Sequence, residues 1–339
     1  MKYVLNESPI KTSNGFNVNN VKVDLDIPQS FIYHNYEIGN INKNNIKYEI
    51  KDNFTSNIGL KHQQYKNVTL DINENTHELL KLVYCFNDDD SLIDNIDINV
   101  DKNIHADLYI CYKSLDDNIH FHNGNININV LENSSLNITV LNILNKQSVN
   151  IGSGVLNCDN NSTVKFNLVD ISGKTRIYNL KSKTKDNAHS YLNNIYIGKD
   201  DELIDLNYHY INEGKSSDNI IEVQGLLSDK SIKTFRGTID FLEGSSKSIG
   251  HENENCLLLS NSCISRSLPI LLCHEEDVDG AHSVSSGKMD ENKLFYLMSR
   301  GIDEKTAKQL IIKANFNHII NDIPEEVRSE ISSNIDEVI

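Results

Sequence analysis

Through the middle of the chain, apolar residues recur at every second position. The plainest run is Asn125-Ile-Asn-Ile-Asn-Val-Leu131, where Ile126, Ile128 and Val130 share one side of an extended backbone and asparagines share the other. Such alternation predicts half-buried strands, with Ile126, Ile128 and Val130 facing inward. Further runs of the same kind lie at 136–140, 163–169, 192–197, 203–208, 220–223 and 235–240, separated by Gly, Asn, Asp and Ser clusters that make turns. Helical periodicity is nearly absent from 67 to 270, which excludes βαβ crossovers and a doubly wound sheet. A sandwich, a barrel or a β-solenoid remains. The loose recurrence of Asn133-Ser-Ser-Leu-Asn-Ile-Thr in Asn161-Ser-Thr-Val-Lys-Phe suits a solenoid, and asparagine suits its tight corners and stacked ladders. The repeat is degenerate, so periodicity alone leaves a parallel β-helix and a sandwich both open.

The two ends read differently. Residues 1–66 are polar and irregular, with apolar islands at 21–27 and 31–36 broken by Pro28, and they form an N-terminal segment to which the pattern assigns no fold. Residues 67–287 make the β body. After Gly287 the period becomes helical, and 288–339 reads as a small helical domain. Asp290 caps a helix with Leu294, Leu297 and Met298 along one face, and Gly301 ends it. Asp303 opens a second helix, with Ala307, Leu310, Ile311 and Ala314 spaced as one buried stripe. Pro324 suits the first turn of a third, in which Val327, Ile331 and Val338 recur. Two separate hydrophobic patterns predict a β body that folds without the helices.

Charge and cysteine content narrow the function. The 339 residues carry a formal net charge of −16, with no Lys/Arg stripe long enough to track phosphates, so nucleic acid is excluded as a partner. No window of about eighteen apolar residues exists, and the opening Met1-Lys-Tyr-Val-Leu lacks the halves of a signal peptide. A cytoplasmic protein with no membrane partner is expected. Cys85, Cys111, Cys158, Cys256, Cys263 and Cys273 are far apart and form no C-x-x-C, which excludes a zinc ribbon and a disulfide framework and predicts mostly buried thiols.

Two stretches are more particular. Thr234-Phe-Arg-Gly-Thr-Ile-Asp240 is followed by Cys256-Leu-Leu-Leu-Ser-Asn-Ser-Cys-Ile-Ser-Arg-Ser-Leu-Pro269. Farther on, Glu276-Asp-Val-Asp-Gly-Ala-His-Ser-Val-Ser-Ser-Gly-Lys-Met-Asp-Glu291 runs into Leu294-Phe-Tyr-Leu-Met-Ser-Arg-Gly-Ile302. Together they resemble the SufB/SufD family of iron–sulfur cluster assembly proteins, strongly over about the last hundred residues. The chain looks more like SufD, because the cysteine motifs that mark SufB are not evident and the chain is short. The resemblance implies a mainly β protein: a right-handed parallel β-helix with a small C-terminal α-helical domain. It implies a non-catalytic scaffold subunit that pairs with a homologous SufB-like subunit, or with itself as a homodimer. It also implies a SufC-type ATPase partner docked on the helical domain, with Leu294, Phe295, Tyr296 and Arg300 as partner-binding residues. A stand-alone SufB-like scaffold is the nearest alternative; a structural β-solenoid and a carbohydrate-active enzyme using paired carboxylates are more distant ones. The residues agree independently that this chain is no ATPase. A phosphate loop ending at Gly287-Lys288 would need glycine where His282 stands, and Met289 replaces the magnesium-binding Ser or Thr.

The cofactor implied is a transient iron–sulfur cluster shared with the partner subunit. His282 occupies the family position of an interface histidine, whose imidazole can ligate iron. Where the family often carries Cys-Ser-His, this chain has Gly280-Ala-His282, so an all-sulfur site is in doubt. Cys263 stands six residues before Pro269, where the SufB branch carries a cysteine that receives cluster or sulfur. One thiol cannot hold a cluster, so partner ligands are required. The competing reading makes His282 a satisfied interface side chain and Cys263 an inert packed thiol. Cys256, Cys273, His274, Glu275 and Glu276 surround the same strands, but alternation sends Cys273 and His274 to opposite faces. His120 and His122 have a zinc-like spacing without a third ligand nearby.

Overall fold

The computed structural model describes residues 1–12, 14–28, 31, 33 and 36–338. Ile32, His34 and Asn35 of the second apolar island, and the Val338 side chain, lie outside the described residues. β1 (Lys2–Leu5) and β2 (Val21–Asp24) form an antiparallel hairpin, and β3 (Tyr36–Gly39) and β4 (Ile46–Thr55) follow. Next come β5 (Lys61–Ile72), β6 (Leu80–Phe86), β7 (Ser91–Val100), β8 (His105–Ser114), β9 (Phe121–Val130) and β10 (Ser135–Ile143). They continue as β11 (Val149–Cys158), β12 (Thr163–Ser172), β13 (Thr175–Thr184), β14 (His189–Gly198) and β15 (Leu203–Asn212). The last strands are β16 (Asp218–Leu227), β17 (Ile232–Phe241), β18 (Ile249–Leu258), β19 (Ile264–Cys273) and β20 (Asp279–Lys288). Three helices close the chain: α1 (Glu291–Ser299), α2 (Glu304–Asp322) and α3 (Glu325–Val338).

From β5 onward, successive strands alternate between two sheets, and each pairs in parallel with the strand one coil away. The result is a parallel β-solenoid of about 8 turns, not a sandwich. Alternation builds its lumen directly: in-register pairing stacks Leu70, Ile98, Ile128 and Leu156 in one inward ladder, and Ile72, Val100, Val130 and Cys158 in another. Ile128 and Val130 are buried and Ile126 packs against the same core, as the pattern predicts. Each such side chain stabilises the fold by about 1.5–3 kcal/mol.

Asparagine does the stacking outside. Asn127 donates to Asn95 (2.9 Å) and Asn95 to Asn67 (3.0 Å), while Asn157, Asn129, Asn99 and Asp71 form a second ladder at 2.9–3.0 Å. At one corner Asn103, Asn133, Asn161 and Asn187 all have positive φ, between 53° and 61°. Asparagine tolerates that left-handed conformation better than other side chains.

Within residues 1–66, which the pattern left without a fold, the described residues include β1 to β4 and the start of β5. β3 and β4 add antiparallel strands to the first coil, against β6 and β5. The β1–β2 hairpin lies on the outer face of the odd-numbered sheet, where Leu5, Val21 and Leu25 join Ile93, Ile151 and Ile177 in one cluster.

The helices do not have a core of their own. Ile312, Phe316, Ile319 and Ile320 of α2 and Val327, Ile331 and Ile335 of α3 share one buried cluster with Tyr109, Leu141, Val169, Ile195 and Leu226 of the even-numbered sheet. Separate hydrophobic patterns therefore do not mean separate cores, and removing the helices would strip the cover from an apolar sheet face. The caps are as expected: Asp290 accepts from the Asn292 amide (2.9 Å), Asp303 from the Thr306 amide (3.0 Å), and Gly301 has φ 90°. The stripe expected on α2 is shifted. Ala307 is buried, but Leu310 and Ala314 are exposed, because this helix carries apolar residues on several sides and the sheet selects the one through Ile312 and Phe316.

Candidate site at the open end of the solenoid

β20 is the last strand of its sheet, and every residue along it is exposed because no further coil stacks on it. His282 is its fourth residue and pairs in register with Glu252 of β18. The ring sits on the lumen side. A side chain at Gly280, two residues earlier, would meet Phe241 and Leu271 of the core, and in a strand residues two apart share a face.

Beneath His282, the lumen is polar. Glu254 is buried and accepts from the Lys233 ammonium, from the Tyr196 hydroxyl (2.9 Å) and from Ser267 (2.5 Å). Lys233, itself buried, also donates to Ser267 (2.9 Å). Glu252 is 2% exposed, and neither of its carboxyl oxygens has a hydrogen-bond partner. Burial, reinforced by the neighbouring Glu254 charge, pushes its pKa from 4.5 to about 9. Its carboxyl group occupies space left by Gly237, where a Cβ would fall 2.4 Å from the Glu252 Cδ. Cys256 lines the same wall, and burial pushes its thiol pKa up.

Cys263 lies in the turn before β19, half-buried against the lumen core, with its thiol donating to the Ser260 carbonyl (3.2 Å). β19 and β20 run in opposite directions around the last coil, so Cys263 sits level with the end of β20. His282 is six residues back from that end, roughly 20 Å along the strand at 3.3 Å per residue. One chain does not bring the two together. Among the described residues, no group of three His, Cys, Asp or Glu could hold a metal ion.

Cys273 is exposed, and His274 lies 3.9 Å from Asp240. Glu275 accepts from the Gly244 amide (3.1 Å), which holds its pKa down, and Glu276 is exposed in the same turn. His120 and His122 are both buried, each on its own acid: His120 on Asp116 (2.9 Å), His122 between Asp94 (3.0 Å) and Asn150 (2.6 Å). Both rings are held by hydrogen bonds within the solenoid.

α1 follows the open strand and buries none of its residues fully. Phe295 is 74% exposed and Tyr296 57%, with the Arg300 guanidinium 5.4 Å from the Tyr296 ring centre. Leu294 is half-buried and lines a groove of about 400 Å³ with Leu258, Leu259, Lys288 and Met289.

The family model for the SUF system FeS cluster assembly SufBD core domain matches residues 84–315. The chain belongs to the SufBD family. A SufBD family iron–sulfur cluster assembly protein of Pyrococcus horikoshii is 33% identical over 165 residues, 49% of this chain and 36% of that one. The iron–sulfur cluster assembly protein SufD of Bacillus subtilis is 29% identical over 165 residues, 48% and 38% of the two chains. SufD of Escherichia coli is 34% identical over 89 residues, 26% and 21%. Each match thus spans well under half of the relative's length. The membership and SufD likeness read from the signature residues hold for this SufBD chain. No helix among its described residues is long and apolar enough to cross a membrane.

Glu252 and Glu254 escaped the pattern reading because β18, with His251, Glu252, Asn253, Glu254 and Asn255 in succession, has no apolar alternation there to detect. The usable signal is the phase: counting by twos from Cys256 places both glutamates on one side.

Proposed function

We propose that this chain is the non-ATPase scaffold subunit of a SufBCD-type iron–sulfur cluster assembly complex. The observation that carries the reading is the uncovered β20 beside an uncovered α1. Gly280 through Gly287 contains no Asp, Glu, Lys or Arg, leaving an exposed edge without the charges that normally discourage pairing. A homologous SufB-like subunit, or a second copy, pairs with this edge. The apolar surface of Leu294, Phe295 and Tyr296, with Arg300 at its rim, docks a SufC-type ATPase, whose nucleotide chemistry this chain lacks. His282 at the lumen mouth and Cys263 at the turn are its candidate ligands to a transient cluster, shared with residues the partner supplies. The buried thiols suit a reducing compartment, the cytoplasm.

Coexpression with SufB-like and SufC-like proteins, followed by measurement of stoichiometry and iron content, tests this. A ternary complex or an ATPase-bound homodimer is expected. Recovery of the chain as a monomer that captures neither protein would overturn the reading.

A further inference from the structure

The proposed cluster role assigns work to His282 and Cys263 and none to the side chain directly beneath His282. We propose that Glu252, its carboxyl group releasing its proton to solvent as the ion binds, supplies a carboxylate donor under His282, so that the lumen mouth presents an imidazole–carboxylate half-site for ferrous iron.

Three observations carry this. His282 and Glu252 are register partners on adjacent strands of one parallel ladder, about 4.8 Å apart, with both side chains on the lumen side. Neither carboxyl oxygen of Glu252 has a hydrogen-bond partner, although the residue is 2% exposed, whereas Glu254, two residues on, is met by Lys233, Tyr196 and Ser267. A buried carboxyl group without partners weakens a fold, so its presence requires a compensating use. Finally, Gly237 leaves the space that the carboxyl group fills, and any larger residue there would push it aside.

The donor set selects the ligand. Imidazole nitrogen and carboxylate oxygen suit a divalent first-row ion such as Fe²⁺, whereas thiolates suit an assembled cluster. Two donors leave the coordination sphere incomplete, and the described residues contain no third. The remaining ligands come from the subunit that covers β20. This inference rests on the pairing and on the role of His282 proposed above.

The test is an anaerobic Fe²⁺ titration of the full chain in complex with its homologous subunit, with melting temperature measured on the same samples. Glu252→Gln should weaken iron binding at least tenfold while keeping or raising the melting temperature. His282→Ala should weaken iron binding to a similar degree. Wild-type affinity in Glu252→Gln alone would overturn the half-site and leave the role of His282 standing. Wild-type affinity in His282→Ala would overturn that role as well. Should Glu252→Gln fold poorly, Glu252→Met serves as the second variant. A lowered melting temperature in both would assign Glu252 a structural role and sink the proposal.

Discussion

The two ends of the solenoid are built on opposite plans. At the first coil, β3 is only four residues long, and β4 carries Lys47, Glu49, Lys51 and Asp52, so both edges are short or guarded by charge. At the last coil, β20 is ten residues long and uncharged through its centre. The lumen differs in the same way. Near the first coils, polar groups continue from one to the next: Asp94 meets His122, His122 meets Asn150, and Asn150 meets the Tyr178 hydroxyl (2.8 Å). Near the last, Glu252 stops without a partner. One end is closed by short or charged edge strands, and the other presents a long edge uncharged through its centre.

The largest expected effect concerns the tie between the N-terminal segment and the late strands. Arg236 of β17 is buried against Asp205 of β15, and it also donates to the Val18 carbonyl (3.1 Å), while Asp205 accepts from Asn6 (2.6 Å). Arg236→Ala leaves a buried carboxylate uncompensated, and a loss of about 3–5 kcal/mol is expected in denaturant unfolding. Replacing both partners, Arg236→Met with Asp205→Leu, should recover most of it. A loss below about 1 kcal/mol in the single variant would mean that the hairpin is not held in this way.

Smaller effects of opposite sign should appear with pH. Glu252, at the open end, is held protonated by burial and by Glu254, with its pKa raised from 4.5 to about 9. The native state keeps a proton that the unfolded chain gives up, so this contribution is fully present below about pH 4.5 and is lost as pH rises to about 9. Lys66, near the closed end, lies over the Tyr48 ring at 5.0 Å, and burial lowers its pKa from 10.5 to about 8. Its burial cost is fully present below about pH 8 and is relieved as pH rises towards 10.5. Glu252→Gln should flatten the fall in stability between pH 5 and 9, and Lys66→Met the gain between pH 8 and 10.5. Unfolding curves of either variant that stay parallel to wild type across its window would remove that group from the comparison.

The sequence disclosed the middle of this molecule better than its ends. Strands such as 125–131 pair with copies of their own pattern, so alternation is enough to find them and to say which side is inward. β18 was missed because its inward residues are charged, and only neighbouring Lys233, Tyr196 and Ser267 make Glu254 tolerable there. The N-terminal hairpin was illegible because its partners lie far along the chain, as in the bond from Asn6 to Asp205. The caps Asp290 and Asp303 were legible because capping is local. His282 and Cys263 were found through family likeness, which carries no distance, and so it gave no sign that they sit at opposite ends of a coil.

The smallest expected change in stability is the one that best isolates the open end. Phe316 and Phe295 belong to successive helices, yet Phe316 is 1% exposed against the sheet and Phe295 is 74% exposed. Phe316→Ala should cost about 3–5 kcal/mol by emptying a packed seam. Phe295→Ala removes a ring already in water, so its stability should stay within about 0.5 kcal/mol of wild type. If α1 docks an ATPase subunit, that ring becomes buried only in the complex, and its truncation should weaken binding at least tenfold, about 1.4 kcal/mol. Calorimetric titration of the partner into folded Phe295→Ala separates these roles. Unchanged affinity would take α1 out of the docking surface, while a large loss of stability would show that the ring is packed in the free chain.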